Sequence, residues 1–228
     1  MAEASHGKTY GADRGLNRFE GFSDAVFAIA LTLLIVEIKV PGSPDGPQGY
    51  SDLAKAMAEQ WREHLALVLC YVVIGAYWLQ HHYSGRIYAK SDHWFGTINL
   101  LFLLAIVAIP YPIRIWCFHF GTRFEAVASV TLVVCLALTA CTWMAKWFYG
   151  MSGRRVMDER LAPDFLRQMT RRYGIATLAQ IVAIPLAIAL PRVGVALALM
   201  CVAFFLLPQP KPRYRPGEEP STEEKLSE

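Results

Sequence analysis

Six blocks of apolar residues, at roughly 19–40, 62–83, 94–116, 124–149, 173–190 and 193–207, leave this chain few folds to choose from. At about 1.5 Å of rise per helical residue, each is long enough, or nearly so, to cross the roughly 30 Å hydrocarbon core of a bilayer. With 54% of the 228 residues hydrophobic, the pattern points to an all-α polytopic membrane protein with six transmembrane helices. The fourth block, "FEAVASVTLVVCLALTACTWMAKWF", is the cleanest. The last two are separated only by Pro191 and Arg192, which predicts a tight helical hairpin whose final stretch suits a thin region of bilayer.

The loops orient the blocks. If six spans alternate, the N-terminus, the loop near 84–93, the loop at 150–172 and the tail share one side, and with their flanks they hold sixteen of the 22 basic residues. The positive-inside rule then puts both termini in the cytoplasm of a cell expected to carry the protein in its inner membrane. The stretch "GRRVMDERLAPDFLRQMTRR" reads as a basic, partly helical cytoplasmic linker near anionic headgroups. It has no aromatic interleaving or reader motif, so nucleic acid is not an expected partner. The opening "MAEASHGKTYGADRGLN" lacks a secretory-signal pattern, and the first block is expected to stay in the mature protein. The expected division is an N-terminal cytoplasmic segment at 1–17, a transmembrane domain at 18–207, and a proline- and charge-rich tail at 208–228 with too little to bury to be ordered. Between the first two blocks, turn residues lead into a short amphipathic segment at the outer surface. Five cysteines lie in separate apolar blocks without a CxxC pair, which suits small buried hydrophobes better than a disulfide framework or a zinc site.

The first block, "RFEGFSDAVFAIALTLLIVEIKV" (18–40), carries a carboxylate, Asp24, with an apolar run of about three helical turns directly behind it. On a wheel at roughly 100° per residue, Phe22, Val26, Ile29, Leu33, Val36 and Val40 form one stripe, with Asp24 about 160° from its centre. A charge at this depth is expected to face other helices and to have partners. The second block ends inward with "YWLQHHY" and the third begins with "HWFGTINL". Trp78, His81, His82 and Asn99 are therefore candidate donors to Asp24 or Ser23, with Arg18 adding positive charge nearby. A structural polar clamp and a titrating proton relay both use this set. Metal or haem ligation by His81 and His82 is disfavoured, because adjacent helical residues diverge by about 100°.

The same residues resemble the first-helix signature of the lysosomal potassium channel family, transmembrane protein 175: an arginine shortly before Phe-Ser-Asp, here Arg18 and Phe22-Ser23-Asp24. The histidines ending the second block and "INLLFLLAIVAIPYP" in the third extend the likeness over roughly 18–207. The resemblance implies a homotetrameric, potassium-preferring cation channel with one six-helix repeat per chain and its first helix lining a central pore. It implies no resident cofactor, a monovalent cation (K+ above others) as the permeant species, and apolar constrictions at Ile29, Leu33 and Val36. These three lie on the stripe already drawn from periodicity, although such a stripe also suits lipid or core packing. Apolar rings gate by dewetting and make an ion shed water; no TVGYG string occurs in the chain. Thr32 flanks the stripe and either borders the pore or packs helices together with Ala25 and Ala28. Glu37 sits at the outer mouth, either concentrating cations or acting as an ordinary interfacial carboxylate, with Lys39 offsetting its field.

Two other classes make different demands. A proton-coupled transporter would use Asp24 with His81 or His82, yet paired glycine-broken helices and an inverted repeat are not apparent. An enzyme is not expected, since neither HExxH nor GxSxG occurs.

Overall fold

A computed structural model describes residues 10–154 and 156–220. Over this range the chain is all-helical. Helix α1 (Tyr10–Thr32) tightens into a 3-10 turn at Leu33–Glu37 and is followed by the short α2 (Leu53–Glu59). Then come α3 (Trp61–Ser84), α4 (His93–Ala108), α5 (Pro110–His119), α6 (Glu125–Met151), α7 (Pro163–Ala189) and α8 (Pro191–Ala203). Five segments are long and apolar enough to cross a bilayer: Arg18–Glu37, Trp61–Ser84, His93–His119, Glu125–Arg154 and Pro163–Ala189. The sixth apolar stretch, Pro191–Leu206, is shorter. At about 1.5 Å per α-residue and about 2.0 Å per 3-10 residue it is shorter than the hydrocarbon core is thick.

Proline shapes three of these elements. Pro110 has no amide hydrogen to give the preceding turn, so the third span breaks at Ile109 into α4 and α5. Pro163 and Pro191 open α7 and α8, where a missing N–H costs nothing. The α7–α8 hairpin closes without room for a side chain at Gly194, where a Cβ would lie 2.4 Å from the backbone nitrogen of Ala187.

Helix α6 is the hub and packs against α4, α5, α7 and α8. The core it organises is aromatic and aliphatic, with Phe102, Trp147, Phe165, Tyr173 and Ile106 fully enclosed. Helix α1 stands at the edge, with α3 and α4 as its principal neighbours.

The basic end of the bundle departs from expectation twice. The linker's second half is helical as expected but only its outer face is at the surface: α7 begins at Pro163, ten residues earlier than the apolar block, with Phe165, Leu166 and Met169 buried and Arg167, Gln168 and Arg171 exposed. The tail expected to be disordered from 208 instead runs along the linker as far as it is described. Ala162 N donates to Arg213 O at 2.8 Å and Arg215 N to Arg160 O at 2.9 Å, while Ala89 N and Asp158 N bond the linker to residues 87–90 on its other side. Backbone pairing and the burial of Val156, Met157 and Leu161 supply what the tail's own composition lacks. Residues 1–9 and 221–228 lie outside the described residues.

Candidate functional site

Helix α1 has two chemically distinct faces. Ser23 and Phe27 are fully enclosed and Leu34 is buried. On the other side Ile29 is 57% exposed, Leu33 59% and Val36 63%, with Phe22 also open. Val26 is only partly exposed, so the apolar stripe is cleanest from Ile29 outward. Ala25, Ala28 and Thr32 are exposed too.

The 3-10 turn changes the geometry of the stripe. Thr32 Oγ1 donates back to the carbonyls of Ala28 at 2.8 Å and Ile29 at 3.2 Å, and the helix tightens directly after it. In a 3-10 turn residues three apart eclipse one another, so Val36 stands directly over Leu33. Ile29 to Leu33 in α geometry and Leu33 to Val36 in 3-10 geometry each advance by about 6 Å, giving evenly spaced apolar levels.

The buried face is held by two sets of polar bonds. Trp78 Nε1 donates to Asp24 Oδ1 at 3.0 Å, from α3. Asn99 Nδ2 donates to Ser23 Oγ at 2.9 Å, from α4. Neither histidine reaches Asp24. His82 is exposed and stacks on Trp78, with ring centroids 5.6 Å apart. His81 is buried and meets the ammonium of Lys146, Nζ to Nδ1 3.2 Å. The same Nζ donates to Asn99 Oδ1 at 3.0 Å. Arg18, expected beside the polar set, faces outward, as does Phe22 of the Phe-Ser-Asp signature, and Arg18 makes no hydrogen bond or ion pair among the described residues.

Lys146 is the residue that sequence reasoning missed. It is 1% exposed and surrounded by Trp143, Phe95, Tyr88, Phe102 and Phe19, with ring centroids 5.0 to 6.0 Å from Nζ. Such contacts are worth about 0.5–2 kcal/mol each once desolvated, which offsets part of the cost of burying the charge. Its signal was a lone lysine inside the most uniform apolar block. At the opposite end of α1, Glu37 pairs with Arg114 of α5 and not with Lys39. Behind them a cavity of about 620 Å³ is bordered by Leu33, Glu63, Tyr111 and His119. Among the described residues no three His, Cys, Asp or Glu side chains cluster as metal ligands would.

A protein-family profile described as endosomal/lysosomal potassium channel TMEM175 matches residues 18–110, the span from Arg18 through α4. A potassium channel of Streptomyces collinus is 33% identical over 183 residues, covering 80% of this chain and 85% of its own. The chain belongs to the TMEM175 family. Another relative, a potassium channel of Chamaesiphon minutus, is 27% identical over 191 residues, covering 83% of this chain and 93% of its own. The crystal structure of a lysosomal potassium-selective channel TMEM175 homologue from Chamaesiphon minutus superposes with a TM-score of 0.70 at 25% identity, over 84% of this chain and 96% of that one. The all-helical bundle is thus the TMEM175 family fold.

Proposed function

We propose that this protein is a potassium-preferring cation channel of the inner membrane, with both termini in the cytoplasm, in which α1 of each of four identical chains lines a central pore. The observation that carries this reading is the two-faced α1: a polar face bonded to α3 and α4, and an apolar face at Ile29, Leu33 and Val36 that the described residues leave more than half exposed. One stripe per chain cannot enclose a pore, whereas a closed ring of copies can. Each apolar level would then form a constriction at which a cation partly dehydrates. Potassium sheds its hydration shell more easily than sodium, so a modest potassium preference follows without a carbonyl filter. The potassium-channel names of the relatives from Streptomyces collinus and Chamaesiphon minutus support the choice of ion. Thr32 flanks the lining, and Glu37 stands at the mouth with its charge largely compensated by Arg114. The channel needs no cofactor, and its partners are the bilayer, its own copies and the permeant monovalent cation.

A proton-coupled transporter draws less support. Asp24 is bonded to Trp78 and His81 to Lys146, so no direct carboxylate–imidazole link joins the groups such a relay would use.

The test is cation flux from liposomes holding the purified protein. Ile29→Asn, which wets the first level, is expected to raise flux and weaken discrimination between potassium and sodium. Leu33→Ala is expected to lower the potassium-to-sodium permeability ratio by roughly threefold or more. Wild-type flux no greater than that of empty liposomes would reject the channel; normal flux untouched by either substitution would reject this pore lining.

A further inference from the structure

We propose that Lys146 is a positioning residue for the pore: its ammonium, through Asn99, holds α1 at the rotation that turns Ile29, Leu33 and Val36 toward the ion path. The inference rests on the pore lining proposed above.

The bonds form a directed chain. Lys146 Nζ donates to Asn99 Oδ1, which leaves the Asn99 amide nitrogen to donate to Ser23 Oγ, and Ser23 Oγ donates to the Phe19 carbonyl one turn back along α1. An asparagine amide has one accepting and one donating end. The ammonium, a donor only, therefore dictates which end of Asn99 faces α1. The second contact of Lys146 is with His81 Nδ1, at 3.2 Å, which ties α3 to the same point. One side chain of α6 thus links α1, α3 and α4, although α6 packs chiefly against α4, α5, α7 and α8.

Stability alone is a poor reason for such a residue. An apolar side chain of similar size in an apolar site is often as stable as a buried charge, and what a buried polar network adds is one unique arrangement. Here the arrangement at stake is rotational. Ser23 lies six residues before Ile29 on the same rigid helix, so a slip of one residue at Ser23 would rotate the apolar levels by about 100°. The other tether, Trp78 to Asp24, is a single bond to a half-buried carboxylate and leaves rotation about it open.

The test uses the full chain in liposomes and reads the potassium-to-sodium permeability ratio beside the melting temperature in detergent. Lys146→Met keeps the length and removes the donor; Ser23→Ala cuts the last link and leaves the lysine in place. Both are expected to shift the permeability ratio by roughly twofold or more, in the same direction. A merely structural role would lower the melting temperature and leave the ratio alone. If Lys146→Met does not fold, Ser23→Ala carries the test. An unchanged ratio in Ser23→Ala and in any folded Lys146→Met, with Leu33→Ala still changing it, overturns this inference and spares the pore lining. No change in either Ile29→Asn or Leu33→Ala overturns both.

Discussion

Asp24 is the most conspicuous charge in the first span, and its surroundings explain why it is tolerated there. It accepts from the Trp78 indole, a neutral donor, at a half-buried position near the basic end of the bundle. Asp24→Ala would strand that indole N–H, which costs about 1–3 kcal/mol. Asp24→Asn keeps an accepting oxygen and should cost less. Thermal melting in detergent checks the order: alanine below asparagine, asparagine near the parent. Equal melting of all three would mean that this bond holds nothing. The carboxylate and its donor candidates were legible because polar residues at matching depth in three apolar blocks have to meet somewhere. The partner of His81 was not legible, since α6 reaches that layer only through a long-range packing decision.

Among the elements, α1 and the α7–α8 hairpin carry the most consequence. Periodicity alone picked out the exposed stripe of α1, because four-residue spacing is a local property. It missed the switch to 3-10 geometry at Leu33. A uniform wheel puts Val36 to one side of Leu33, whereas the tighter turn stacks them. The hairpin was foreseen from Pro191 and the short linker, yet its tightness depends on Gly194 meeting the Ala187 backbone. Gly194→Ala places a methyl where the backbone of α7 already lies, at 2.4 Å from Ala187 N. Overpacking of that kind costs about 1–3 kcal/mol. The expected result is a lower melting temperature and poorer recovery of folded protein. Unchanged melting would show that the hairpin yields easily.

For the whole molecule, the layer at the basic end joins segments far apart in sequence. Residues 87–90, the linker at 156–162 and the tail at 213–215 lie side by side through backbone bonds. Arg213 also pairs with Asp164 at the start of α7, at 3.3 Å. Truncation after Leu207 removes one side of this layer. Amide hydrogen exchange at Ala162 is expected to quicken, because its donor bond to Arg213 O is lost. Exchange at Ala89 and Asp158, bonded on the other side of the linker, should change little; faster exchange there as well would mean that the layer opens as one unit.

The division between sequence and tertiary structure follows from the range of the forces involved. Block length, hydropathy and helical period are local, so the all-helical membrane class, the approximate positions of the first four spans and the apolar stripe of α1 were contained in the order of residues. The family likeness, too, was legible there, with Arg18 through Asp24 as its most specific run. What tertiary structure alone decided was which distant groups meet: Lys146 with His81 and Asn99, Glu37 with Arg114, and the tail with the linker. A buried charge or an unpaired backbone group announces that it needs a partner, but several partners satisfy that need equally well on paper. Only the packing of α6 against α4, and of α5 beside the end of α1, selected among them.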